Sequence, residues 1–225
     1  MKPEIIHSSN FLEDSVALIE KEANDAIAQR GVFRIALSGG NTPRPVFETL
    51  ATKKLDWSKI IFTFGDERCV PPDDKESNYL MAKTTLFDLA PIPAENILRM
   101  KGEIDPEVAA KEYEALLKSK CSDPIYRHDL LLLGMGPDGH TASLFPGTPA
   151  LTEKSRLVVP NFVPKFNMWR LTFTYPLLDA ARRVCFLVNS VGKDEILKEV
   201  FSGKSNYPCA AIQPTDGRVT WMLGA

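Results

Sequence analysis

The segment LLLLGMGPDGHTASLFPG, residues 130–147, joins a strongly apolar run to a loop rich in glycine. Four consecutive leucines fit a strand that is buried on both faces. The glycines and the proline of GMGPDG behind them cannot continue as strand or as regular helix, so a sharp loop begins at residue 134. That loop delivers Asp138 and His140 at the carboxyl end of a central strand, where open parallel sheets bind their ligands. His140 is therefore the first candidate for catalysis.

Outward from this segment, predicted strands and helices alternate along the chain. Apolar residues at intervals of three or four between Leu12 and Ile27 predict an amphipathic helix that ends near Gly31. Further strands are predicted at 33–37, 60–64, 156–159, 170–174, 184–188 and 219–223. Further helices are predicted from residue 43 and at 79–89, 106–118, 176–182 and 193–201, with a short turn of helix at 141–145. In the helix at 106–118 we expect Val108 to face the core. This alternation predicts an α/β fold with a mainly parallel sheet and helices on both faces.

The composition narrows the classes of protein and of partner. The chain has 225 residues, 44% hydrophobic and 25% charged, which is typical of one globular domain spanning residues 1–225. A formal net charge of -2 argues against a nucleic-acid partner and against a membrane surface, because both require a basic excess. We therefore expect any bound anion to be held by a local site.

The first residues and the cysteines indicate a reducing, cytoplasmic setting. MKPEIIHSSNF lacks the basic start and the apolar stretch of a signal peptide, so we expect a cytoplasmic protein. Cys69, Cys121, Cys185 and Cys209 lie far apart, a spacing that suggests neither a zinc cluster nor a disulfide framework. Cys69 follows Arg68, which leaves a catalytic thiol of lowered pKa as an alternative.

A second candidate site is the loop from Ser38 to Thr42, which lies between a predicted strand and a predicted helix. Free backbone N–H groups and the positive end of the helix dipole favour an anion there, and Gly39 and Gly40 let a phosphate approach the main chain. The alternative is a tight turn in which Thr42 simply caps the helix. The loop has neither the Walker A pattern nor the dinucleotide fingerprint, so no nucleotide cofactor is indicated.

Charged residues mark three further positions at strand or helix ends. Asp66, Glu67 and Arg68 follow the strand at 60–64, although such a triplet is often a solvated loop. Arg170 lies on the polar face of the strand at 170–174. Lys193 starts a helix, where a cation is unfavourable unless an anion is nearby or the acidic residues that follow it compensate.

Several of these motifs together resemble the 6-phosphogluconolactonase family of the pentose phosphate pathway. They are SGGNTP at 38–43, GDERCVPPDDKESNY at 65–79, GMGPDGHTASLFPG at 134–147, RLTFTYPLLDAARRV at 170–184 and PCAAIQPTDGRVTWML at 208–223. The central motif is specific, whereas SGGNTP and GDER are shared in looser form with the related glucosamine-6-phosphate deaminases. The resemblance covers nearly the whole chain.

This resemblance implies a fold and a reaction. The implied fold is a single domain with a modified doubly wound, Rossmann-like sheet, without a metal or an organic cofactor. The implied reaction is the hydrolysis of 6-phospho-D-glucono-1,5-lactone to 6-phospho-D-gluconate, so the expected partner is a small sugar-phosphate lactone. Independently of the resemblance, we expect a monomer. Opening a lactone requires a base of near-neutral pKa and a donor for the charge on the carbonyl oxygen, and histidine and arginine supply both.

The resemblance also implies a role for each candidate residue. His140 is implied as the general base on water, with Asp138 shaping its loop and Arg68 facing the ring or carboxylate end of the substrate. Asp66 is implied as a supporting residue of the same site. The phosphate is implied to bind Ser38, Gly39, Gly40, Thr42, Arg170 and Lys193.

Alternative functions remain open from the sequence. Ser143 lies three residues beyond His140 and is a rival nucleophile, although it has no Gly-x-Ser-x-Gly elbow. His140 itself is alternatively a structural histidine of its glycine loop. A deaminase-like isomerase is disfavoured because those enzymes carry a glutamate where this chain has Phe145, which cannot transfer a proton. A non-catalytic sugar-phosphate sensor is disfavoured by the presence of His140 and Arg68.

Overall fold

Two sheets form the framework of the protein. The computed structural model describes residues 2–224, and Met1 and Ala225, the ends of the predicted domain, lie outside the described residues. The strands are β1 (Glu4–Ser8), β2 (Phe33–Leu37), β3 (Ile60–Phe64), β4 (Asp66–Arg68), β5 (Leu130–Leu133), β6 (Val158–Val163), β7 (Met168–Phe173), β8 (Arg183–Asn189) and β9 (Arg218–Gly224). A parallel sheet has the order β1-β9-β8-β5-β2-β3, and a small antiparallel sheet has the order β4-β7-β6.

Helices connect most of these strands. The α-helices are α1 (Phe11–Arg30), α2 (Arg44–Ala51), α3 (Asn78–Ala82), α4 (Pro106–Ser119), α5 (Tyr175–Leu178) and α6 (Asp194–Phe201). One turn of π-helix, Lys83–Phe87, extends α3, and 3-10 turns occur at Trp57–Lys59, Ala94–Asn96, Pro149–Thr152, Pro164–Phe166 and Pro208–Ala211. Helix α1 ends where the sequence predicts, because Gly31 adopts a left-handed φ of 74° and its N–H bonds the carbonyl of Ile27.

Strand β5 separates two hydrophobic cores. Leu131 and Leu133 point into one core together with buried side chains of α4 and α6. Leu130 and Leu132 point into the other core together with side chains of α1 and α2. Because successive side chains of a strand alternate, four leucines in a row serve both faces of the sheet. The predicted α/β class, with a mainly parallel sheet and helices on both faces, is confirmed.

Two strands are absent from the predicted pattern. Strand β1 pairs in parallel with β9 at the sheet edge, and most of its side chains are exposed, so no apolar alternation marks it. The residues Asp66–Arg68 form β4, which pairs antiparallel with β7, and they are not a solvated loop. Asp66 and Glu67 are buried there, because the second sheet covers the charged triplet.

Several predicted elements differ from the structure in type, length or buried face. Residues 141–145 form a tight turn in which Ala142 has a positive φ of 47°, a conformation that no helix contains. The helix predicted at 176–182 is the single turn α5. The strand predicted at 156–159 begins at Val158 and continues through Pro160 to Val163. Val108 is 46% exposed, because α4 turns its first apolar residue to solvent.

The outer face of the small sheet carries an exposed aromatic pair. Phe162 of β6 and Trp169 of β7 are cross-strand partners, with ring centroids 5.5 Å apart. Trp169 is 46% exposed, while its neighbour Arg170 points to the opposite face and is buried. The inner face of this sheet therefore contributes charge to the interior, next to the carboxyl ends of the parallel strands.

Candidate active site

A cavity of about 350 Å³ lies at the carboxyl ends of β2 and β5. From β2 the chain continues to β3 on one side of the sheet, whereas β5, β8 and β9 extend on the other side. Loops that follow two strands at such a reversal diverge and leave a crevice between them. The loop at 38–43 and the loop at 134–142 form its two walls.

The cavity brings together nine of the ten residues predicted for the site. They are Ser38, Gly39, Gly40, Thr42, Asp66, Arg68, His140, Arg170 and Lys193. The tenth residue, Asp138, lies behind His140 and does not line the cavity. The β4–β7 pair supplies Asp66, Arg68 and Arg170, so the small antiparallel sheet forms the third wall.

Asp138 holds the imidazole of His140 in one orientation. The distance from His140 Nδ1 to Asp138 Oδ1 is 2.5 Å. Because a carboxylate only accepts, we assign the proton to Nδ1, which leaves the lone pair of Nε2 free. Nε2 has no hydrogen-bond partner among residues 2–224. The pair therefore presents a basic nitrogen in the cavity.

The charge on Asp138 is well supported. Burial of the carboxyl opposes ionisation, but the hydrogen bond from His140 and the Lys165 ammonium, 3.2 Å from Oδ2, outweigh it and lower the pKa of Asp138 to about 2. At neutral pH the carboxylate is therefore ionised and stabilises any imidazolium that forms.

Two neighbours fix the plane of the His140 ring. The Phe145 ring stacks on the imidazole with centroids 3.9 Å apart and planes 22° apart. A Cβ at Gly136 would overlap Nδ1 and Cε1 of the imidazole, so only glycine fits there. The sequence indicates only that Phe145 cannot transfer a proton, whereas the structure gives it a packing role.

The loop at 38–42 presents free hydrogen-bond donors that suit an anion. Within the described chain, the backbone N–H groups of residues 39–42 make no hydrogen bond, and the buried Ser38 Oγ has no partner. Gly40 has a positive φ of 94°, and the side chain of Asn78 leaves no room for a Cβ at Gly39. No side chain caps α2, so the alternative in which Thr42 serves as a cap is wrong.

Arg170 is a buried cation without a partner in the described chain. Its guanidinium makes no hydrogen bond or ion pair there, and Nε is fully enclosed. The Phe166 ring lies 5.4 Å from its Cζ, and Arg68 stands directly opposite on β4. Burial, and then the charge of Arg68, lower the pKa of Arg170. Burying a guanidinium without a partner costs free energy, which a bound anion would offset.

Arg68 and Lys193 complete the positive lining. Arg68 Nη1 donates to the carbonyl of Glu76 at 2.5 Å, while its buried Nε has no partner in the described chain. Lys193 precedes α6 and donates from Nζ to the carbonyl of Met135 at 3.0 Å. Burial lowers the pKa of Lys193. The acidic residues after Lys193 therefore do not neutralise it, since none of them pairs with Nζ.

The two carboxylates of β4 are committed to internal hydrogen bonds. Asp66 accepts from Ser143 Oγ at 2.6 Å and from Asn78 Nδ2 at 3.1 Å. Glu67 accepts from the Ser77 hydroxyl and from the backbone N–H groups of Arg68, Asn78 and Tyr79. Burial raises the pKa of Glu67. Glu67 thus caps the start of α3 and does not face the cavity.

The rival nucleophiles are in the wrong environment. Ser143 is fully buried and donates to Asp66, not to His140. Burial and the charge of Glu67 raise the pKa of the Cys69 thiol to about 11, so the alternative of a catalytic thiol of lowered pKa is wrong. Among residues 2–224, no three His, Cys, Asp or Glu side chains cluster as metal ligands, and all four cysteines are free.

With this geometry in place, comparison with known proteins decides the family. A family model described as glucosamine-6-phosphate isomerases/6-phosphogluconolactonase matches residues 7–221. The chain belongs to this family. No helix among the described residues is long and apolar enough to span a membrane.

Relatives within the glucosamine-6-phosphate isomerase/6-phosphogluconolactonase family match over most of their length. A 6-phosphogluconolactonase of Nostoc sp. is 43% identical over 94% of this chain and 90% of its own. One from Haemophilus influenzae is 37% identical over 90% of this chain and 93% of its own. The crystal structure of 6-phosphogluconolactonase from Thermotoga maritima superposes with a TM-score of 0.89 at 30% identity and covers 100% of both chains.

Several residues of this family member enter the site without a signal in its sequence. Asn78 and Phe166 line the cavity, and Lys165 pairs with Asp138 from the β6–β7 turn. Phe166 and Lys165 follow a proline in a segment that reads as irregular, and Asn78 precedes a predicted helix. Only the pairing of β4 with β7, which no local pattern indicates, brings these segments to the cavity.

Proposed function

We propose that this protein hydrolyses 6-phospho-D-glucono-1,5-lactone to 6-phospho-D-gluconate. The observation that carries the proposal is the Asp138–His140 pair, which presents a free Nε2 in a cavity that also holds an unpaired buried guanidinium. A base and an anion site in one crevice suit a substrate with a hydrolysable carbonyl and a phosphate. The relatives from Nostoc sp. and Haemophilus influenzae, 43% and 37% identical over 94% and 90% of this chain, are 6-phosphogluconolactonases.

In the proposed mechanism His140 first accepts a proton from water and later donates it to the leaving ring oxygen. Nε2 takes a proton from water as the water oxygen attacks the lactone carbonyl carbon, and Asp138 stabilises the resulting imidazolium. Arg68 stabilises the negative charge on the carbonyl oxygen. When the tetrahedral intermediate collapses, the bond to the ring oxygen breaks and that oxygen receives the proton from His140. The immediate products are a free hydroxyl and a carboxylic acid, which keeps the second proton of the water and loses it to solvent at neutral pH to give the carboxylate. No covalent intermediate with the protein forms.

The phosphate is proposed to bind at the opposite wall. The N–H groups of residues 39–42 and the hydroxyls of Ser38 and Thr42 would surround it, and Arg170 and Lys193 would neutralise its charge. Asp66 supports this wall through Asn78. Because the phosphate does not react, this wall holds ground state and transition state alike and governs affinity.

Phe145 favours the lactonase over the isomerase members of the family. Ring opening of an amino-sugar phosphate needs an acid or base near the ring oxygen, and the Phe145 position offers only an aromatic ring stacked on His140. The same stack leaves His140 as the sole proton carrier on that wall. We therefore assign the chain to ester hydrolysis and not to deamination.

A coupled assay that detects 6-phosphogluconate tests the proposal. Freshly prepared 6-phosphogluconolactone is expected to react faster than the blank, since the lactone also opens unaided. Unphosphorylated gluconolactone should react far more slowly, and glucosamine 6-phosphate should give no ammonia. Ammonia release from glucosamine 6-phosphate without lactone hydrolysis would overturn the assignment.

A further inference from the structure

Ser143 joins the turn beside His140 to every strand of the small sheet. Its Oγ donates to Asp66 of β4 at 2.6 Å, and its N–H donates to Thr172 Oγ1 of β7 at 3.1 Å. Its carbonyl accepts from Asn161 Nδ2 of β6 at 2.8 Å. All four residues are buried, so each polar group of Ser143 has a partner that excludes water.

The turn that Ser143 holds is conformationally costly. Ala142, which lines the cavity, has a φ of 47°, a region that residues other than glycine adopt only when their surroundings enforce it. Thr141 anchors the start of the turn by donating from Oγ1 to the carbonyl of Gly134 at 2.8 Å. Ser143 anchors its centre, and the turn delivers Phe145 two residues later.

Hydrogen bonds also connect Ser143, through Asn161 and Thr148, to Phe145. Asn161 Nδ2 also donates to Thr148 Oγ1 at 2.9 Å, and Thr148 Oγ1 donates to the carbonyl of Phe145 at 2.7 Å. Phe145 in turn stacks on the imidazole. The plane of His140 is therefore fixed by Asp138 at one edge and, through Phe145, by a network centred on Ser143.

We infer that Ser143 is a positioning residue for His140, which it places through the strained turn and the Phe145 stack. This inference rests on the proposed function, in which His140 activates water. A nucleophilic role is inconsistent with the contacts, since Ser143 Oγ bonds a carboxylate away from the imidazole. The role instead follows from geometry, because displacement of a base by a fraction of an ångström reduces catalysis without altering the phosphate wall.

The test compares Ser143→Ala with Thr174→Val. Thr174 is also a buried hydroxyl in the same sheet region, donates to the carbonyl of Arg156 at 2.5 Å and lies outside the cavity. We expect Ser143→Ala to lower kcat roughly 10- to 100-fold with KM nearly unchanged. Thr174→Val, at a comparable loss of thermal stability, should retain wild-type kcat.

Proton NMR gives a second measurement, the chemical shift of the His140 ring protons. This shift should not change if Ser143 only stabilises the fold. The chain has three histidines, so the His140 ring protons can be assigned by their loss in His140→Ala. Stacking 3.9 Å from Phe145 should shift them upfield, and Ser143→Ala should reduce that shift. Thr172→Val, which removes the acceptor for the Ser143 N–H together with the hydroxyl that donates to the Phe173 carbonyl, provides the same measurement if Ser143→Ala does not fold.

The possible outcomes distinguish failure of the positioning role of Ser143 from failure of the proposed lactonase function. Wild-type kcat, or an unchanged His140 shift, in a folded Ser143 or Thr172 variant overturns the positioning role. Loss of all catalysis to the blank rate with an unchanged shift also overturns it, in favour of direct chemistry by Ser143. Absence of lactonase activity in the wild-type protein refutes the proposed function, while the NMR comparison still tests the packing.

Discussion

At the scale of single residues, His140 is distinguished by what surrounds it. Asp138 fixes its tautomer, Gly136 makes room for its ring and Phe145 covers one face. The loop alternative accounts for the bond between His140 Nδ1 and Asp138, but it gives no role to the unbonded Nε2. The free Nε2 in the cavity favours the catalytic assignment that the sequence suggests.

His140→Ala should lower kcat by roughly 10² to 10⁴, about 3 to 5 kcal/mol in barrier, and leave KM nearly unchanged. The reason is that the proposed base acts only in the transition state, while the phosphate wall is intact. Steady-state kinetics with blank subtraction measures the effect. His7→Ala is the control, because His7 is exposed on the edge strand β1 and does not line the cavity. Turnover near wild type in His140→Ala would remove His140 from the mechanism.

Arg170→Met should raise KM roughly 10- to 100-fold, because a charge-assisted bond to the phosphate is lost equally from ground and transition states. The same change should preserve or raise the melting temperature in phosphate-free buffer, since it removes a buried, unpaired charge. Kinetics and thermal unfolding test both parts. Arg218→Met, at an exposed arginine on β9, is the control. A fall in kcat alone would refute the phosphate assignment.

At the scale of elements, the sequence indicates those parts whose own side chains carry the burial pattern. The strands β2, β3, β5 and β8 and the helix α1 follow from apolar runs or from 3.6-residue periodicity. The edge strand β1 and the turn at 141–145 do not, because their conformation depends on partners distant in the chain. For the turn, those partners are Asp66, Asn161 and Thr172.

The candidate site shows the same division. Residues at the ends of predicted strands, such as Ser38 and His140, are found by position, because the carboxyl ends of parallel strands meet at one edge. Phe166 and Lys165 come from the turn between β6 and β7, and only antiparallel pairing brings it to the cavity. Such pairing has no signature within a single short strand.

Gly136→Ala tests the loop as a unit. The added Cβ would overlap the imidazole, so we expect a folded protein in which His140 is displaced and kcat falls at least 10-fold. Gly65→Ala is the matched control, because a Cβ there meets Leu133 Cδ2 at 3.7 Å and the Leu37 carbonyl at 3.8 Å, which are ordinary contacts. Equal kinetics for the two variants would show that the Gly136 contact does not constrain His140.

At the scale of the whole molecule, the most consequential buried group is far from the cavity. His128 is fully buried, and its Nε2 lies 2.9 Å from Thr63 Oγ1. That hydroxyl donates to the carbonyl of Ile35, so the imidazole donates from Nε2 and leaves Nδ1 unprotonated and without a partner in the described chain. Burial, and then the charge of Arg34, lower the pKa of His128 to about 3.

This pKa predicts acid sensitivity of the fold. Below pH 6.5 the unfolded chain binds a proton at His128 that the folded chain does not bind until about pH 3. The free energy of unfolding should therefore fall between these values by up to about 1.4 kcal/mol per pH unit from this group. Urea titrations at a series of pH values from 7 to 4 give the free energy of unfolding at each pH. This free energy should fall less steeply with falling pH in His128→Gln than in His7→Gln. Parallel slopes would contradict the prediction.

The exposed Trp169 gives the protein an intrinsic optical reporter. It stands one residue from Arg170, whereas Trp57 and Trp221 are buried in the two cores. An aqueous quencher such as iodide therefore reaches mainly the indole on the outer face of the small sheet. When an anion engages Arg170, the strand that carries both residues changes its electrostatic environment, so ligand affinity can be read from the emission of the unlabelled protein without any turnover.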